Sequence, residues 1–242
     1  MKSQPASNPR TSATGSAGFG ASILIPADAE QLARLSLQAT SDLGTQIALW
    51  QRRGLDLPQI YLEGITEAAR VLGRWWLSDE IDFASVTVGS SRLHRLLYDL
   101  SPQFLAGGHA PLGATALLLA EPESQHTMGL FMLSEFFKRA GWYTLVEQPR
   151  MDANVLRLLS SHWVDVLALS ISTDRQLPAL KVLIRQARKL SPNPRMVIIA
   201  GGPMAANQPQ LLAELGVDWI GDDAATTVER ATQGLGAITP QN

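Results

Sequence analysis

Residues Thr115 to Gly141 read TALLLAEPESQHTMGLFMLSEFFKRAG. The first six residues, TALLLA, are apolar without alternation, the pattern of a strand covered on both faces. MGLFMLSEFFKRAG recurs with helical spacing, and Gly141 stands just past its end, where a glycine closes a helix. Between the two lies PESQHTMG, Pro122 to Gly129, a strand-to-helix junction with a histidine and a glycine three residues later. Alone, His126 reads as a surface loop residue; the rest of the chain gives it a setting.

The same unit recurs four times downstream. WYTLVE precedes DANVLRLLSSH, which Asp152 caps. VDVLALSI precedes LPALKVLIRQARKL, RMVIIAGG precedes NQPQLLAELG, and VDWIG precedes DAATTVERATQ. Five pairs of buried strand and amphipathic helix predict an α/β fold: a flavodoxin-like, doubly wound, five-stranded parallel sheet with helices on both faces.

Upstream the periodicity is helical. DAEQLARLSLQ starts with Asp28 as a candidate cap. LPQIYLEGITEAARVLGRWWLSDE places Ile60, Ile65, Ala68, Ala69, Leu72 and Trp76 at near-helical spacing. DFASVTVGSSRLHRLLYDLS does so with Val86, Leu93, Leu96 and Leu97. A four-helix bundle cap therefore precedes the sheet, and SPQFLAGGHAPLG, rich in Gly and Pro, reads as a linker. Residues 1–20, rich in Ser, Gly, Pro and Asn, have almost nothing to bury and read as a disordered tail, dispensable for ligand binding. The expected division is 1–20 tail, 21–105 bundle cap and 106–242 α/β domain.

Composition narrows the function classes. The chain has 242 residues, 45% of them hydrophobic, a formal net charge of −2 and no cysteine. No basic run could neutralise a phosphate backbone, so direct nucleic-acid binding is not expected. Disulfides and thiolate metal sites are excluded. No apolar stretch approaches a membrane span, and no signal-peptide core is evident, so the expected location is cytoplasmic. No nucleophile–base pair is visible, and Asp165, Asp174, Asp222 and Asp223 do not form a phosphoacceptor cluster. The chain is not expected to be an enzyme.

In a doubly wound sheet, ligands bind beyond the carboxyl ends of the strands. Three loops reach that edge: one with Gln125, His126, Thr127 and Gly129, one with Ser170 and Ser172 in SIST, and one with Gly201 and Gly202 in GGPM. His-x-x-Gly, then Ser-x-Ser beginning 44 residues after the histidine, then Gly-Gly about 30 residues further on, resembles the cobalamin-binding domains of methionine synthases, mutases and light-dependent regulators. The resemblance runs from Ala114 to about Ala231. It implies that His126 binds cobalt from below in place of the cofactor's own base, and imidazole suits cobalt as a donor. It further implies that Gly129 lets the helix pass close to the displaced nucleotide tail. Ser170 and Ser172 would hydrogen-bond the base, while Gly201 and Gly202 leave room for it. On this reading Gly202→Val should block the tail and leave the sheet intact.

The match has departures. The family's aspartate two residues before the histidine is Ser124, a weaker partner for the second ring nitrogen, and Glu123 is one residue out of place. In adenosylcobalamin-dependent repressors the cap carries Trp, nine residues, then Glu-His. Here Trp76 is followed at that spacing by Val86-Thr87. Trp76 and Val86 are the matched cap positions, and loss of the Glu-His pair favours hydroxo- or methylcobalamin over adenosylcobalamin.

The wording from about Leu57 onward resembles the AerR and PpaA photosynthesis-gene regulators of purple bacteria. These are cobalamin-binding antirepressors that act on a PpsR/CrtJ-type repressor. The resemblance implies a light- or redox-responsive regulator that works through a protein partner. A corrinoid carrier serving a methyltransferase, or a haem sensor on the same fold, is the alternative. His94 reads as a helix-surface residue, His109 as a solvated linker residue and His162 as a helix-end residue.

Overall fold

The computed structural model describes residues 24–119, 127–147 and 153–236. The cap is made of α1 (Pro26–Leu37), α2 (Leu43–Arg52), a continuous rod of α3 (Leu57–Gln59), a π-helical turn (Ile60–Ile65) and α4 (Thr66–Leu77), and the long α5 (Phe83–Ala106). The α/β part follows as β1 (Thr115–Leu119), α6 (Thr127–Arg139), β2 (Tyr143–Glu147), α7 (Ala153–Ser161), β3 (Val166–Ser170), α8 (Leu177–Leu190), β4 (Val197–Gly201), α9 (Pro203–Asn207), α10 (Pro209–Ala213), β5 (Trp219–Ile220) and α11 (Ala224–Gly236). A four-helix cap thus precedes a five-stranded sheet.

Every strand pair is parallel and the order is β2-β1-β3-β4-β5. The chain winds one way through β2 and the other way through β3, so the switch point lies between β1 and β3. The unbroken apolar runs are explained by what covers the two faces. Ala116, Leu118, Val166, Ala168 and Ile199 join one core with Phe136 and Phe137 of α6 and Val228 of α11. Leu117, Leu119, Leu167, Leu169, Ile198 and Ala200 join a second with Val155, Leu159, Leu183 and Ile184 of α7 and α8.

The first of these cores does not stop at the sheet. It continues through α6 into the bundle, taking in Leu32, Trp50, Ile65, Leu72, Leu93 and Leu97. Polar contacts follow the same seam. Thr66 Oγ1 donates to Met132 Sδ at 3.3 Å, Ser101 donates to the buried carboxylate of Glu135, and Arg139 donates to the carbonyl of Phe104. Within the bundle α5 passes close to α1 and α4 at Gly89. A Cβ there would lie 2.9 Å from Leu72 Cδ1 and 3.0 Å from Ser36 Oγ.

Three local expectations are revised. Asp28 is not the cap of α1 but sits in its first turn. Its carboxylate accepts from Ile25 N at 3.0 Å and pairs with Arg53 at 2.9 Å. The expected linker contributes its first six residues to α5, which runs through Pro102 to Ala106. Phe104 drives this extension: fully buried, it stacks on Tyr61 with ring centroids 4.3 Å apart. That burial outweighs the backbone bond Pro102 cannot make. NQPQLLAELG yields a helix only over Pro209–Ala213, with a separate turn, α9, before it. The proposed tail, 1–20, and Asp152 lie outside the described residues. No described helix is long and apolar enough to cross a membrane.

Candidate functional site

Two of the three loops meet at the carboxyl edge. Ser170 is paired with Gly201 at the ends of β3 and β4. The ladder continues past them: Ile171 N donates to Gly201 O at 2.9 Å, and Met204 N to Ile171 O at 3.2 Å. Ser170, Ser172, Gly201 and Gly202 are thereby held as one unit by main-chain bonds.

The two glycines of that unit differ. Gly202 has φ of +99°, and a Cβ there would lie 2.7 Å from Ile171 O and 2.9 Å from Ile171 N. The fold requires this glycine with or without a ligand, so Gly202→Val would disturb the β3–β4 junction rather than leave the sheet intact. Gly201 has no such constraint. A Cβ built on it meets no atom of the described residues within 4 Å, so among these the space beside it is open.

Ser172 stands two residues past the end of β3, on the same carboxyl edge. Its Oγ is buried and has no hydrogen-bond partner. A buried hydroxyl left unpaired costs roughly 1–3 kcal/mol, and such a group calls for a ligand or water. A buried, unpaired hydroxyl and an unhindered glycine at the ends of neighbouring strands are features that the displaced base and tail of a corrinoid could use. Gly129, in the first turn of α6, is exposed, and among the described residues nothing lies within 4 Å of a built Cβ. Gln125 and His126 lie outside the described residues, as does the side chain of Thr127, although its backbone opens α6.

The cap overhangs this edge. Helices α5 and α6 run in parallel. His94 and Tyr98 lie on Phe131, with centroids 5.6 and 4.2 Å apart, Ser101 bonds Glu135, and Phe104 meets Phe136 at 5.0 Å. Phe131 is four residues into α6, so the first turns of α5 extend beyond the start of α6. At a rise of about 1.5 Å per residue, Phe83 projects about 16 Å ahead of His94.

On that projection Trp75 packs against the bundle core under the Arg34 guanidinium, 4.9 Å from its ring, whereas Trp76 is exposed. Val86 is half-buried against the bundle core. The exposed neighbour of Trp76 is instead Phe83, one turn earlier, with its centroid 6.4 Å away. Phe83 was not among the residues expected from sequence. Asp82, whose carboxylate accepts from Ser85 N at 2.7 Å, is the local signal that α5 begins there.

The other polar residues belong elsewhere. His94 is half-buried rather than a surface residue, with Nε2 buried and unpartnered, and burial lowers its pKa below the usual 6.5. His109 is exposed, and its backbone N donates to Arg139 O at 2.7 Å. It borders a cleft of about 510 Å³ with Phe136, Arg139, Val228 and Thr232, at the far end of α6 from the serine and glycine loops. His162 Nδ1 lies 2.9 Å from Ser161 Oγ. Asp165 accepts from Thr115 N and Trp163 Nε1, both at 2.9 Å, at the amino edge of the sheet. Among the described residues no group of His, Asp or Glu could hold a metal ion by itself.

Comparison with known proteins agrees with this layout. The chain is 28% identical over 165 residues to an uncharacterized 20.5 kDa protein of the bchF-crtJ intergenic region in Rhodobacter capsulatus, covering 68% of this chain and 85% of that protein. In fold it is similar to the monomethylamine corrinoid protein of Methanosarcina barkeri. The TM-score is 0.73 at 14% identity, covering 86% of this chain and 98% of the other. The model of the B12 binding domain matches residues 101–231, a span that holds all three carboxyl-edge loops, and the chain belongs to that family.

Proposed function

We propose that this protein is a cobalamin-binding regulator with no catalytic activity of its own, acting by binding a PpsR/CrtJ-type repressor. The observation that carries the cofactor assignment is the buried, unpartnered Ser172 hydroxyl just past the end of β3, on the same sheet edge at which Gly201 ends β4. On this reading His126 is the lower cobalt ligand, Ser170 and Ser172 hold the displaced base, and the exposed Trp76 lies toward the upper face. When bound, a corrinoid supplies a cobalt centre whose upper ligand is exchangeable, including by light.

The regulatory half is supported by context. The similar Rhodobacter capsulatus protein is named for the bchF-crtJ intergenic region. The bundle is joined to α6 by a shared core, so a change in what packs under the cap alters the balance between arrangements of both. A partner that prefers one arrangement then reads that change.

The experiment has two stages. Purified protein is mixed separately with hydroxocobalamin, methylcobalamin, adenosylcobalamin and haemin, and absorption spectra are recorded for wild type and His126→Ala. A bound corrinoid spectrum in wild type that is lost or altered in the variant is expected. A haem spectrum alone would replace cobalamin by haem. Affinity for a PpsR-type repressor is then measured for apo, dark and illuminated protein, and equal affinities in all states would remove the regulatory assignment. Methylation of the bound corrinoid by a methyltransferase would favour a carrier.

A further inference from the structure

The face of the sheet turned away from the cap is covered by α7 and α8, which pack side by side. Together these helices hold five basic residues and no acidic one, in a chain whose formal net charge is −2. Arg188 is already engaged: it donates to Met196 O at 2.9 Å and pairs with Asp218 at 2.7 Å, which anchors α8. Lys181, Arg185 and Lys189 are exposed and have no carboxylate partner among the described residues. Elsewhere Arg70, Arg95 and Lys138 each pair with an acid three or four residues away on their own helix. On α8 like charges stand four residues apart instead, an arrangement that repels and costs the helix stability.

The spacing puts these side chains in order. Lys181, Arg185 and Lys189 form one row, rising about 6 Å per step along the helix. Val182, Gln186 and Leu190 form a second row beside it, and two of the three are exposed apolar side chains, Val182 at 36% and Leu190 at 41%. Leu183, Ile184 and Ala187 are on the buried side. The outer face of α8 thus sets a cationic row next to an apolar one, and α7 adds the exposed Arg157.

We infer that the outer face of α8 docks an amphipathic, acidic segment of a protein partner. Its carboxylates meet Lys181, Arg185 and Lys189, and its apolar side chains meet Val182 and Leu190. The inference rests on the reading that the chain acts through a protein. A nucleic-acid backbone would use the cations and leave the apolar row idle, and a chain of net charge −2 repels a polyanion at long range. The core that holds α8 is separate from the one shared by the bundle and α6. Docking on α8 therefore anchors the partner in every cofactor state, and differences between states arise elsewhere.

The test is a titration of the full chain, as apo, dark and illuminated protein, with a PpsR-type repressor and separately with a DNA duplex. Lys181→Glu combined with Arg185→Glu should lower repressor affinity about tenfold or more, equivalent to about 1.4 kcal/mol, and by the same factor in all three states. Wild-type affinity should fall as salt rises, and that of the double variant much less. Val182→Asn should weaken binding about threefold while keeping the wild-type salt dependence. Melting temperature and corrinoid spectrum should be unchanged throughout. Lys181→Gln with Arg185→Gln repeats the measurement if charge reversal lowers the melting temperature. Wild-type affinity in the double variants, or a loss confined to one state, would overturn the inference while leaving the partner reading intact. Lost duplex binding with unchanged repressor binding would assign the cationic row to nucleic acid instead. Failure of wild type to bind the repressor in every state would remove the partner reading and the inference with it.

Discussion

The imidazole of His94 on α5 meets the phenyl ring of Phe131 on α6 edge to face, 5.6 Å between centroids and 62° between planes, with Nε2 buried and unpartnered. Tyr98 stacks on the same imidazole at 5.0 Å, while Arg95 and Asp99 flank it toward solvent. Burial lowers the His94 pKa, so the unfolded chain binds the extra proton first. The stability this contact contributes is full above about pH 6.5 and is lost as pH falls through the lower folded value. Urea unfolding at pH 7.5, 6.5 and 5.5 should show wild type losing more stability on acidification than His94→Phe. Parallel losses would assign the acid sensitivity to other groups.

Gly201 and Gly202 should separate binding from folding. Gly201→Val adds a side chain to open space and should keep the melting temperature while lowering corrinoid affinity about tenfold or more, or about 1.4 kcal/mol. Gly202→Ala places a Cβ against the Ile171 backbone at positive φ and should cost about 1–3 kcal/mol of stability with no cofactor present. Thermal melts of the two apo variants check this directly.

Ser172→Ala should act in opposite directions on the two states. Without ligand it removes an unpaired buried hydroxyl, so apo stability should hold or rise. With ligand it removes a hydrogen bond, and affinity should fall by about 0.5–1.5 kcal/mol. An apo protein destabilised by the change would mean that the hydroxyl already has a partner in solution.

Phe104→Ala should destabilise the fold by about 3–5 kcal/mol, as for other fully buried aromatic side chains. It removes the stack on Tyr61 and the platform under Arg139, whose guanidinium lies 4.8 Å from the Phe104 ring. Equilibrium unfolding in urea gives the value. A loss below about 1 kcal/mol, typical of a surface position, would place Phe104 outside the core.

The α/β half was legible because its strands are covered on both faces. TALLL, VLALS and VIIAG are short apolar runs that each precede an amphipathic helix, and with those helices they led to the observed sheet. The cap was legible in outline, through the helical spacing of Ile60, Leu72, Leu93 and Leu97. What escaped was decided by contacts distant in sequence. Pro102 reads as a helix end until the burial of Phe104 against Tyr61 is known. The need for Gly202 comes from Ile171, and nothing in GGPM distinguishes it from Gly201. Trp75 and Trp76 are neighbours in sequence, and only the bundle shows which one packs inside. Phe83 was missed because a lone aromatic at a helix start carries no pattern, whereas Ser170, Ser172 and the glycines stood at strand ends.

The unequal glycines also bear on how drift among related chains should be interpreted. A descendant that replaces Gly202 must rebuild the junction between β3 and β4, so the change is filtered by folding before any ligand is involved. One that replaces Gly201 keeps a sound sheet and alters only the space beside it. On the proposed reading the first glycine of the pair is therefore a marker of cofactor use, whereas the second is a marker of fold. On that reading, a relative with an intact second glycine but a bulky first one would be a lineage that has kept the scaffold after giving up the vitamin.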